Sequence, residues 1–265
     1  MRDKAEAFRS LHQRCFVIAN AWDAGSARML AGLGFPALAT SSGAHAGTLG
    51  RRDGQVTREE ALAHAHVIVE ATDLPVSADL ENCFADEPGP ASETIRLAAD
   101  VGLVGCSIED ATRDKVYDFD HAVARVAAAA KIASSMPFPF MLTARVENFV
   151  RGRPDLDDTI KRLQAFEKAG ADVLMAPGLP DLESVRKVCS ALSKPFNFMA
   201  GIKGKSFSVS ELQSVGVRRI SLATSLWRAA MSGLIDAARE VKDKGTFGYV
   251  ERSLPTAEIV KLMEK

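Results

Sequence analysis

Val104-Gly-Cys-Ser-Ile-Glu-Asp110 is a mainly apolar run that ends in two acids. The run over residues 75–81 follows the same plan, with Asp79 and Glu81 at its end, and the run over residues 138–145 ends in an arginine. An unpaired charge inside a buried strand costs several kcal/mol, so buried parallel strands stay apolar along their length. Charges confined to the last residues therefore predict neighbouring strands whose ends share one polar rim.

Short apolar runs and amphipathic helices alternate along the chain, with a spacing of about 30 residues. Capping boxes at Thr57-x-x-Glu60 and Ser208-x-x-Glu211 predict two of the helix starts. The predicted strands cover residues 15–19, 37–40, 75–80, 104–109, 138–144, 170–175, 196–199 and 219–223. This alternation predicts an α/β protein with a parallel sheet, closed into a (β/α)8 TIM barrel.

An open, doubly wound sheet is the alternative architecture. It usually carries a glycine-rich nucleotide turn after the first strand, but residues 20–25 read Asn-Ala-Trp-Asp-Ala-Gly and lack G-x-G-x-x-G. The barrel is therefore favoured. Ala229 and Ala230, in the last long helix, are predicted to pack against the barrel strands.

The composition describes a globular protein. Of 265 residues, 47% are hydrophobic. The net charge of -1 does not favour binding to nucleic acid or to an anionic membrane. No linker divides the chain, so residues 1–265 are expected to form one barrel domain, with 246–265 as a C-terminal extension. No apolar stretch reaches about 18 residues and the polar start is unlike a signal peptide, so a cytoplasmic protein with reduced cysteines is expected.

Three acids at the predicted rim suggest a metal site. Asp79, Glu81 and Glu109 follow neighbouring strands about 5 Å apart, so their carboxylates would repel unless a cation lay among them. Oxygen ligands favour Mg²⁺, with Mn²⁺ as a substitute. The alternative is a purely structural ion-pair network of these acids with Arg145 and with Arg51 or Arg52.

Arg145 is the candidate anchor for a substrate anion, because its planar guanidinium matches a carboxylate or a phosphonate. A buried salt bridge with Glu109 or Glu147 is its alternative role. Ser41-Ser42-Gly43, after the second strand, offers hydroxyls and backbone N–H groups for another anionic end of the substrate.

Six segments in register resemble the isocitrate lyase and phosphoenolpyruvate mutase superfamily, over about residues 14 to 245. They are Asn20-Ala-Trp-Asp-Ala-Gly-Ser-Ala-Arg28, Thr40-Ser-Ser-Gly43, Leu49-Gly-Arg-Arg-Asp53, Ser77-Ala-Asp-Leu-Glu-Asn82, Ser107-Ile-Glu-Asp110 and Thr143-Ala-Arg145. The resemblance implies a (β/α)8 barrel whose last helix is often swapped to a neighbouring subunit. It also implies a homodimer or homotetramer, an Mg²⁺ site and a small-molecule carboxylate substrate.

The resemblance also implies roles for individual residues. Asp79 would bind Mg²⁺ directly, while Glu81 and Glu109 would act largely through metal-bound waters. The implied substrate-binding residues are Trp22, Ser41, Ser42, Gly43 and Arg145, to which we add Asn197 at the end of the seventh strand, and Asp53 would lie near the reacting group.

Departures from the family pattern narrow the chemistry. Residues 111–118, which correspond to the gating loop of isocitrate lyases, contain no catalytic cysteine, so ordinary isocitrate cleavage is not expected. Lys115 has no matching Asn, and residues 176–178 read Ala-Pro-Gly. Both are departures from the phosphoenolpyruvate mutase pattern, and they weaken the expectation of phosphonomutase activity. Asn-Cys-Phe replaces Gly-Tyr-Gly after Glu81, and Cys83 there is either an acid or a small apolar filler.

These residues predict an Mg²⁺-dependent enzyme that acts on a small 2-oxo acid or 2-hydroxy (di)carboxylate. It would cleave a C–C bond, as a lyase, decarboxylase or hydrolase, through an enolate-like intermediate. Asp53, Arg145 and Glu109 are the predicted catalytic residues. The alternatives are a phosphonomutase of the phosphoenolpyruvate mutase type and a non-catalytic barrel that binds a carboxylate.

Overall fold

The computed structural model describes residues 1–264 and is a closed barrel of eight parallel strands that neighbour one another in chain order. The predicted (β/α)8 fold is therefore confirmed. The strands are β1 (Phe16–Ala21), β2 (Leu38–Thr40), β3 (Val76–Ala78), β4 (Gly105–Glu109), β5 (Met141–Arg145), β6 (Val173–Met175), β7 (Phe196–Met199) and β8 (Arg219–Ser221).

Helices surround the barrel and follow the strands. They are α1 (Arg2–Leu11), α2 (Ala24–Gly32), α3 (Ser42–Thr48), α4 (Arg58–Glu70), α5 (Pro88–Asp100), α6 (Phe119–Ser134), α7 (Leu156–Lys168), α8 (Leu182–Ser190), α9 (Val209–Ser214), α10 (Ser225–Lys244) and α11 (Thr256–Met263). Two 3-10 helices cover Asn148–Arg151 and Val250–Arg252. None of the helices within residues 1–264 is both long enough and apolar enough to cross a membrane.

The strands begin where their sequences allow ladder hydrogen bonds. Every residue of β4 is buried, as expected of a strand covered on both faces. β5 starts at Met141 instead of residue 138, because Pro139 has no N–H to donate to a neighbouring strand. β6 starts at Val173 instead of residue 170, because Gly170 has a φ of +107°.

Helix starts were predicted well where a capping side chain marks them. Thr57 with Glu60 and Ser208 with Glu211 form the two predicted capping boxes of α4 and α9. The short helix α3 was not predicted, since its Ala- and Gly-rich sequence has no apolar period. Ser41 is its N-cap and accepts a hydrogen bond from the backbone N–H of Ala44.

The last long helix, α10, departs from the expected packing. Its start lies against α3, where a side chain at Gly47 would collide with the Trp227 ring. No residue of α10 is buried, and both Ala229 and Ala230 are exposed, so their predicted contact with the barrel strands was wrong.

The C-terminal extension returns to the barrel and packs α11 on α2. At Gly32 the backbone of Leu262 passes so close that an added Cβ would lie 2.0 Å from its carbonyl oxygen. Lys265, the last residue of the predicted extension, lies outside the described residues.

Candidate functional site

The carboxyl ends of the strands surround an open mouth of about 440 Å³. In a (β/α)8 barrel this face carries the active site. The charged residues that line the mouth are Asp53, Asp79, Glu81, Glu109, Arg113, Arg145, Glu147 and Arg151. The sequence-predicted acids and Arg145 are therefore gathered around one space.

Asp79 follows β3 and is fixed by neutral donors. The backbone N–H and the hydroxyl of Ser42 both donate to its Oδ2, over 3.2 and 2.9 Å. The Ser107 hydroxyl, from β4, lies 3.3 Å from its Oδ1. The carboxylate is thus oriented without an arginine or lysine partner.

Glu81 and Asp53 crowd the Asp79 carboxylate. Burial, and after it the carboxylates of Asp79 and Asp53, raise the pKa of Glu81 to about 7. Desolvation and then Asp79 also raise the pKa of Asp53, although Asp53 stands at the exposed rim. Gly43 allows the close approach of Asp53, since an added Cβ would lie 3.3 Å from the Asp53 Oδ2.

Glu109 is paired with Arg145. Nη1 of Arg145 lies 3.1 Å from Oε1 of Glu109, and Nε of Arg145 donates to Glu147. Burial raises the pKa of Glu109, and the Arg145 guanidinium opposes this rise. Burial disfavours the charge of Arg145, but Glu109 and Glu147 outweigh this effect and raise its pKa. Arg145 thus forms the buried salt bridge that the sequence offered as its alternative role, and it pairs with both Glu109 and Glu147.

Asp110, the second acid of the β4 end, points away from the mouth. Its Oδ2 lies 3.2 Å from Nη1 of Arg162, and its Oδ1 accepts from the backbone N–H of Glu147. Burial, its largest influence, raises the pKa of Asp110 to about 6. Asp110 therefore ties α7 and the segment after β5 to the rim and has a structural role.

The acids of the mouth fit a hydrated cation better than a bare one. Within residues 1–264, Asp53, Asp79 and Glu81 have no basic side chain within 4.0 Å, so only more distant arginines such as Arg145 offset their mutual repulsion. The same residues include no group of three His, Cys, Asp or Glu arranged to hold a metal ion. The three predicted ligands do not converge, because Glu109 is drawn to Arg145. Mg²⁺ needs only one or two carboxylates and keeps several waters, so this donor set suits it.

The predicted substrate-binding residues divide between three places. Ser41, Ser42 and Gly43 line the mouth, although the Ser41 and Ser42 side chains already cap α3 and bind Asp79. Asn197 lies deeper, fully buried in the barrel, where it binds Ser221 and Arg219. Trp22 is half-buried after β1 and lies outside the lining of the mouth.

The loop after β3 is held in an uncommon conformation. Glu81, Cys83 and Phe84 have φ values of +51°, +59° and +58°, a region that glycine adopts more readily. This is the segment in which the sequence lacks the family's glycines. Cys83 is fully buried and burial raises its pKa to about 12, so it is a small core residue and not an acid.

Arg125, on α6, compensates the strain of this loop. Its guanidinium donates to the carbonyl groups of Asn82, Ala85 and Asp86. It also lies 4.5 Å above the ring of Tyr117, whose hydroxyl donates to the Asp86 carboxylate. One buried cation thereby fixes the segment that follows the acids of β3.

Residues 111–116 form a tight hairpin at the mouth. Ala111 pairs with Val116, and the N–H of Thr112 donates to the carbonyl of Lys115. Arg113 at its tip lines the mouth, and its carbonyl accepts from Arg151. Arg113 is the charged residue that this cysteine-free hairpin brings to the mouth.

Ser107 and Glu147 were missed as site residues. Ser107 lies two residues before Glu109 on β4, so the two-residue period of a strand already placed both on one face. Glu147 lies two residues after Arg145 and beyond the strand end, and the sequence placed it only as an alternative salt-bridge partner of Arg145.

Comparisons with known proteins agree with the barrel fold. The family model described as phosphoenolpyruvate phosphomutase matches residues 8–242. A crystal structure of a lyase/mutase from Burkholderia cenocepacia J2315 is 47% identical, with a TM-score of 0.97, and the alignment covers 100% of this chain and 96% of that one.

Two curated relatives carry names of specific activities. A 2,3-dimethylmalate lyase of Eubacterium barkeri is 25% identical, over 95% of this chain and 90% of its own length. An oxaloacetate decarboxylase of Paraburkholderia xenovorans (strain LB400) is 26% identical, over 95% of this chain and 84% of its own length. From the family match and the barrel with its acidic mouth, the chain belongs to the phosphoenolpyruvate phosphomutase family and is an enzyme of the isocitrate lyase and phosphoenolpyruvate mutase superfamily.

Proposed function

We propose that this enzyme cleaves a C–C bond of a small 2-oxo acid or 2-hydroxy (di)carboxylate in an Mg²⁺-dependent reaction. The observation that carries the proposal is the placement of Arg145 in one mouth with the acids Asp79 and Glu81, which have no ion-pair partner within 4.0 Å among residues 1–264. The two relatives named for dimethylmalate and oxaloacetate support this class of substrate.

The metal would be held by residues of β3 and β4. Asp79 would bind Mg²⁺ or Mn²⁺ directly, and Glu81 and Glu109 would act through waters. When bound, the ion would supply Lewis-acid polarisation of a substrate oxygen.

Arg145 would bind and orient the substrate anion. Its Nε and Nη1 are engaged by Glu147 and Glu109, which leaves Nη2 for a carboxylate in the mouth. A guanidinium fixed in this way needs little reorganisation as negative charge develops on the substrate. Ser42 and Gly43 line the opposite side and would position the far end of the substrate.

Asp53 is the proposed site of proton transfer. It lines the mouth, and its raised pKa lets its carboxylate hold a proton more readily than an ordinary aspartate. It would give or take a proton at Oδ2, which is the Asp53 carboxylate oxygen that lies beside Gly43.

A screen of 2-oxo and 2-hydroxy acids with Mg²⁺ tests the proposal, with coupled detection of pyruvate, other 2-oxo acids and CO2. Turnover is expected for at least one substrate and should be lost in Asp79→Ala. Asp73→Ala, which alters an exposed acid in the turn before β3, is the matched control. Failure of every acid to react, or full activity in Asp79→Ala, would refute this function.

Phosphonate chemistry is the second candidate. Arg113, Arg145 and Arg151 all line the mouth, and a phosphonate carries more negative charge than a single carboxylate. A phosphonomutase would interconvert phosphoenolpyruvate and phosphonopyruvate, which phosphorus NMR detects as a new resonance. No new resonance with Mg²⁺ present would eliminate this candidate.

We also propose that the enzyme is a homodimer or homotetramer. Leu234, Ile235 and Val241 on α10 are 61%, 47% and 37% exposed, an unusual state for apolar residues on one helix. A helix exchanged with a second copy of the chain would cover them.

A further inference from the structure

Arg219, at the start of β8, points into the lower half of the barrel and is only 5% exposed. Its Nε donates to Oδ1 of Asn197 and its Nη2 to Oγ1 of Thr143, both over 2.8 Å. Its Nη1 lies 3.4 Å from Nε2 of His12, which closes the barrel floor from α1. The guanidinium thus contacts three different side chains deep below the mouth.

All three contacts are neutral. Nδ1 of His12 lies 2.9 Å from the Phe8 carbonyl oxygen, so it carries the ring proton and Nε2 is left as an acceptor. Burial and then the charge of Arg219 lower the pKa of His12 to about 3, which keeps the ring uncharged. Burial also lowers the pKa of Arg219 to about 9.

No carboxylate offsets the charge of Arg219. Within residues 1–264, no Asp or Glu oxygen lies within 4.0 Å of its nitrogens. Even with its lowered pKa, Arg219 keeps its proton at neutral pH, so its charge persists there. A buried charge without a counterion is strongly unfavourable, which calls for an anion from solution.

A narrow cavity beside Arg219 has room for such an ion. It measures about 50 Å³, and its lining includes Arg219, the hydroxyl-bearing residues Ser77, Ser107, Thr143 and Ser221, and, where it meets the mouth, Asp79 and Arg145. A water molecule needs about 10–15 Å³ by the same measure, so the space admits a few particles of that size. A monatomic anion with some water fits these dimensions.

The groups around Arg219 leave several donors free. A guanidinium has five N–H groups, and Arg219 uses three of them on protein acceptors. Oγ1 of Thr143 accepts from Arg219, and Oγ of Ser221 accepts from Asn197, so both hydroxyl protons remain free to donate. Free N–H and O–H groups around one cation form the environment that a halide prefers.

We propose that the lower barrel interior binds a small monatomic anion, chloride in solution, as the counterion of Arg219. The site lies below the mouth, and its cavity shares Asp79 and Arg145 with the mouth. Its occupancy would stabilise the barrel floor, where Arg219 links β5, β7 and β8 to α1.

The wild-type enzyme tests this site in two ways. After dialysis into sodium gluconate, addition of chloride or bromide at constant ionic strength should raise the melting temperature by several degrees. A crystal soaked in bromide should show an anomalous peak within hydrogen-bond distance of the Arg219 guanidinium. Absence of that peak, with only water beside Arg219, overturns the proposal.

Two arginine variants separate the site from general salt effects. Arg219→Met should lose the halide-dependent rise, while Arg218→Gln, which removes the adjacent exposed arginine, should keep it. A halide response that survives in Arg219→Met would place the ion elsewhere and overturn the assignment. If Arg219→Met does not fold, the anomalous measurement on the wild type decides.

Discussion

Glu109 and Arg145 are register partners at the ends of β4 and β5, and their side chains form an ion pair of 3.1 Å. The pairing of two parallel strands thus brings an acid and a base together, and Glu147 adds a second acid to the same guanidinium. The rim therefore has two halves. One is this ion-paired cluster, and the other is the set Asp53, Asp79 and Glu81, which forms no ion pair within residues 1–264.

Loss of Arg145 should destabilise the protein in a pH-dependent way. In Arg145→Met, Glu109 would be buried without a cation and Glu147 would keep only Arg151, and removing one partner of a buried pair costs roughly 3–5 kcal/mol. Burial raises the pKa of Glu109, so this acid is more readily protonated at lower pH, and the loss should be larger at pH 8 than at pH 5.5. Urea unfolding at both pH values measures it.

Glu109→Gln is the comparison for this variant. It leaves Arg145 paired with Glu147, so its loss of stability should be smaller and should change less with pH. Equal losses for Arg145→Met at both pH values would contradict the paired arrangement.

Neutralising Glu81 should stabilise the metal-free enzyme above neutral pH. The folded-state pKa of Glu81 lies near 7 against an ordinary value of 4.5, so its ionised form disfavours folding. This cost is absent below pH 4.5 and grows as the pH rises through 7, to at most roughly 3 kcal/mol. Glu81→Gln should therefore unfold at higher urea concentration at pH 8 and match the wild type at pH 4.5.

Metal and a distant acid provide the controls for Glu81. Mg²⁺ should stabilise the wild type more than Glu81→Gln, because the cation compensates the carboxylate. Glu251→Gln, at an exposed position, should unfold like the wild type at both pH values. A Glu81→Gln protein less stable than the wild type at pH 8 without metal would show that the acid is not repelled in the folded state.

The charged residues at the strand ends were predictable, but which of the alternative partners each would contact was not. The apolar runs with terminal charges placed Asp79, Glu109 and Arg145 at one rim, because strand direction in a parallel barrel is uniform. Whether Glu109 binds a metal or pairs with Arg145 depends on side-chain geometry within the rim, and no local sequence pattern encodes that geometry. For the same reason the sequence left open whether Arg145 has a structural or a binding role.

Features that depend on distant segments escaped the sequence altogether. His45 stacks on His64 of α4, with ring centroids 3.8 Å apart, and no spacing rule joins two residues 19 positions apart on different helices. The contact of Arg125 with the loop after Glu81 crosses about 40 residues in the same way. The exposure of α10 cannot be read from its amphipathic pattern, which fits a barrel contact equally well.

The His45–His64 stack should make the protein sensitive to acid. Neither ring nitrogen of His45 has a hydrogen-bond partner, and burial followed by the influence of His64 lowers the pKa of His45 to about 4. The unfolded chain takes up this proton near pH 6.5, so stability is full above that pH and falls as the pH drops toward 4. His45→Leu should lose less in melting temperature between pH 7.5 and pH 4.5 than the wild type.

At pH 7.5, His45→Leu should be nearly as stable as the wild type, because an apolar side chain replaces an unsatisfied polar one. His66→Leu, which alters an exposed histidine of the same region, should follow the wild-type acid profile. An acid profile of His45→Leu that coincides with the wild type would exclude His45 as the source of the sensitivity.

Arg125 should position the acids of β3 for metal binding. Arg125→Met removes the donors to the carbonyl groups of residues 82, 85 and 86, and the strained loop after Glu81 should relax. Binding of Mn²⁺, measured by calorimetry, should weaken about tenfold or more, as is common when a group that orients a metal ligand is lost.

Two further variants are the controls for Arg125→Met. Arg125→Lys should recover only part of the affinity, since an ammonium cannot span three carbonyls, and Lys131→Met on the same helix should bind Mn²⁺ normally. Unchanged Mn²⁺ affinity in Arg125→Met would limit Arg125 to a packing role.

The exposed face of α10 should be the site of self-association. Light scattering on the wild type is expected to give the mass of two or four chains. A double substitution of Leu234 and Ile235 by Glu places charges in the covered face and should shift the population to monomers, since buried unpaired carboxylates oppose association. Asp236→Asn, an exposed neighbour on the same helix, should keep the wild-type mass. A monomeric wild type would exclude the assembly, and an oligomer unaffected by the double substitution would place its interface on another face of the barrel.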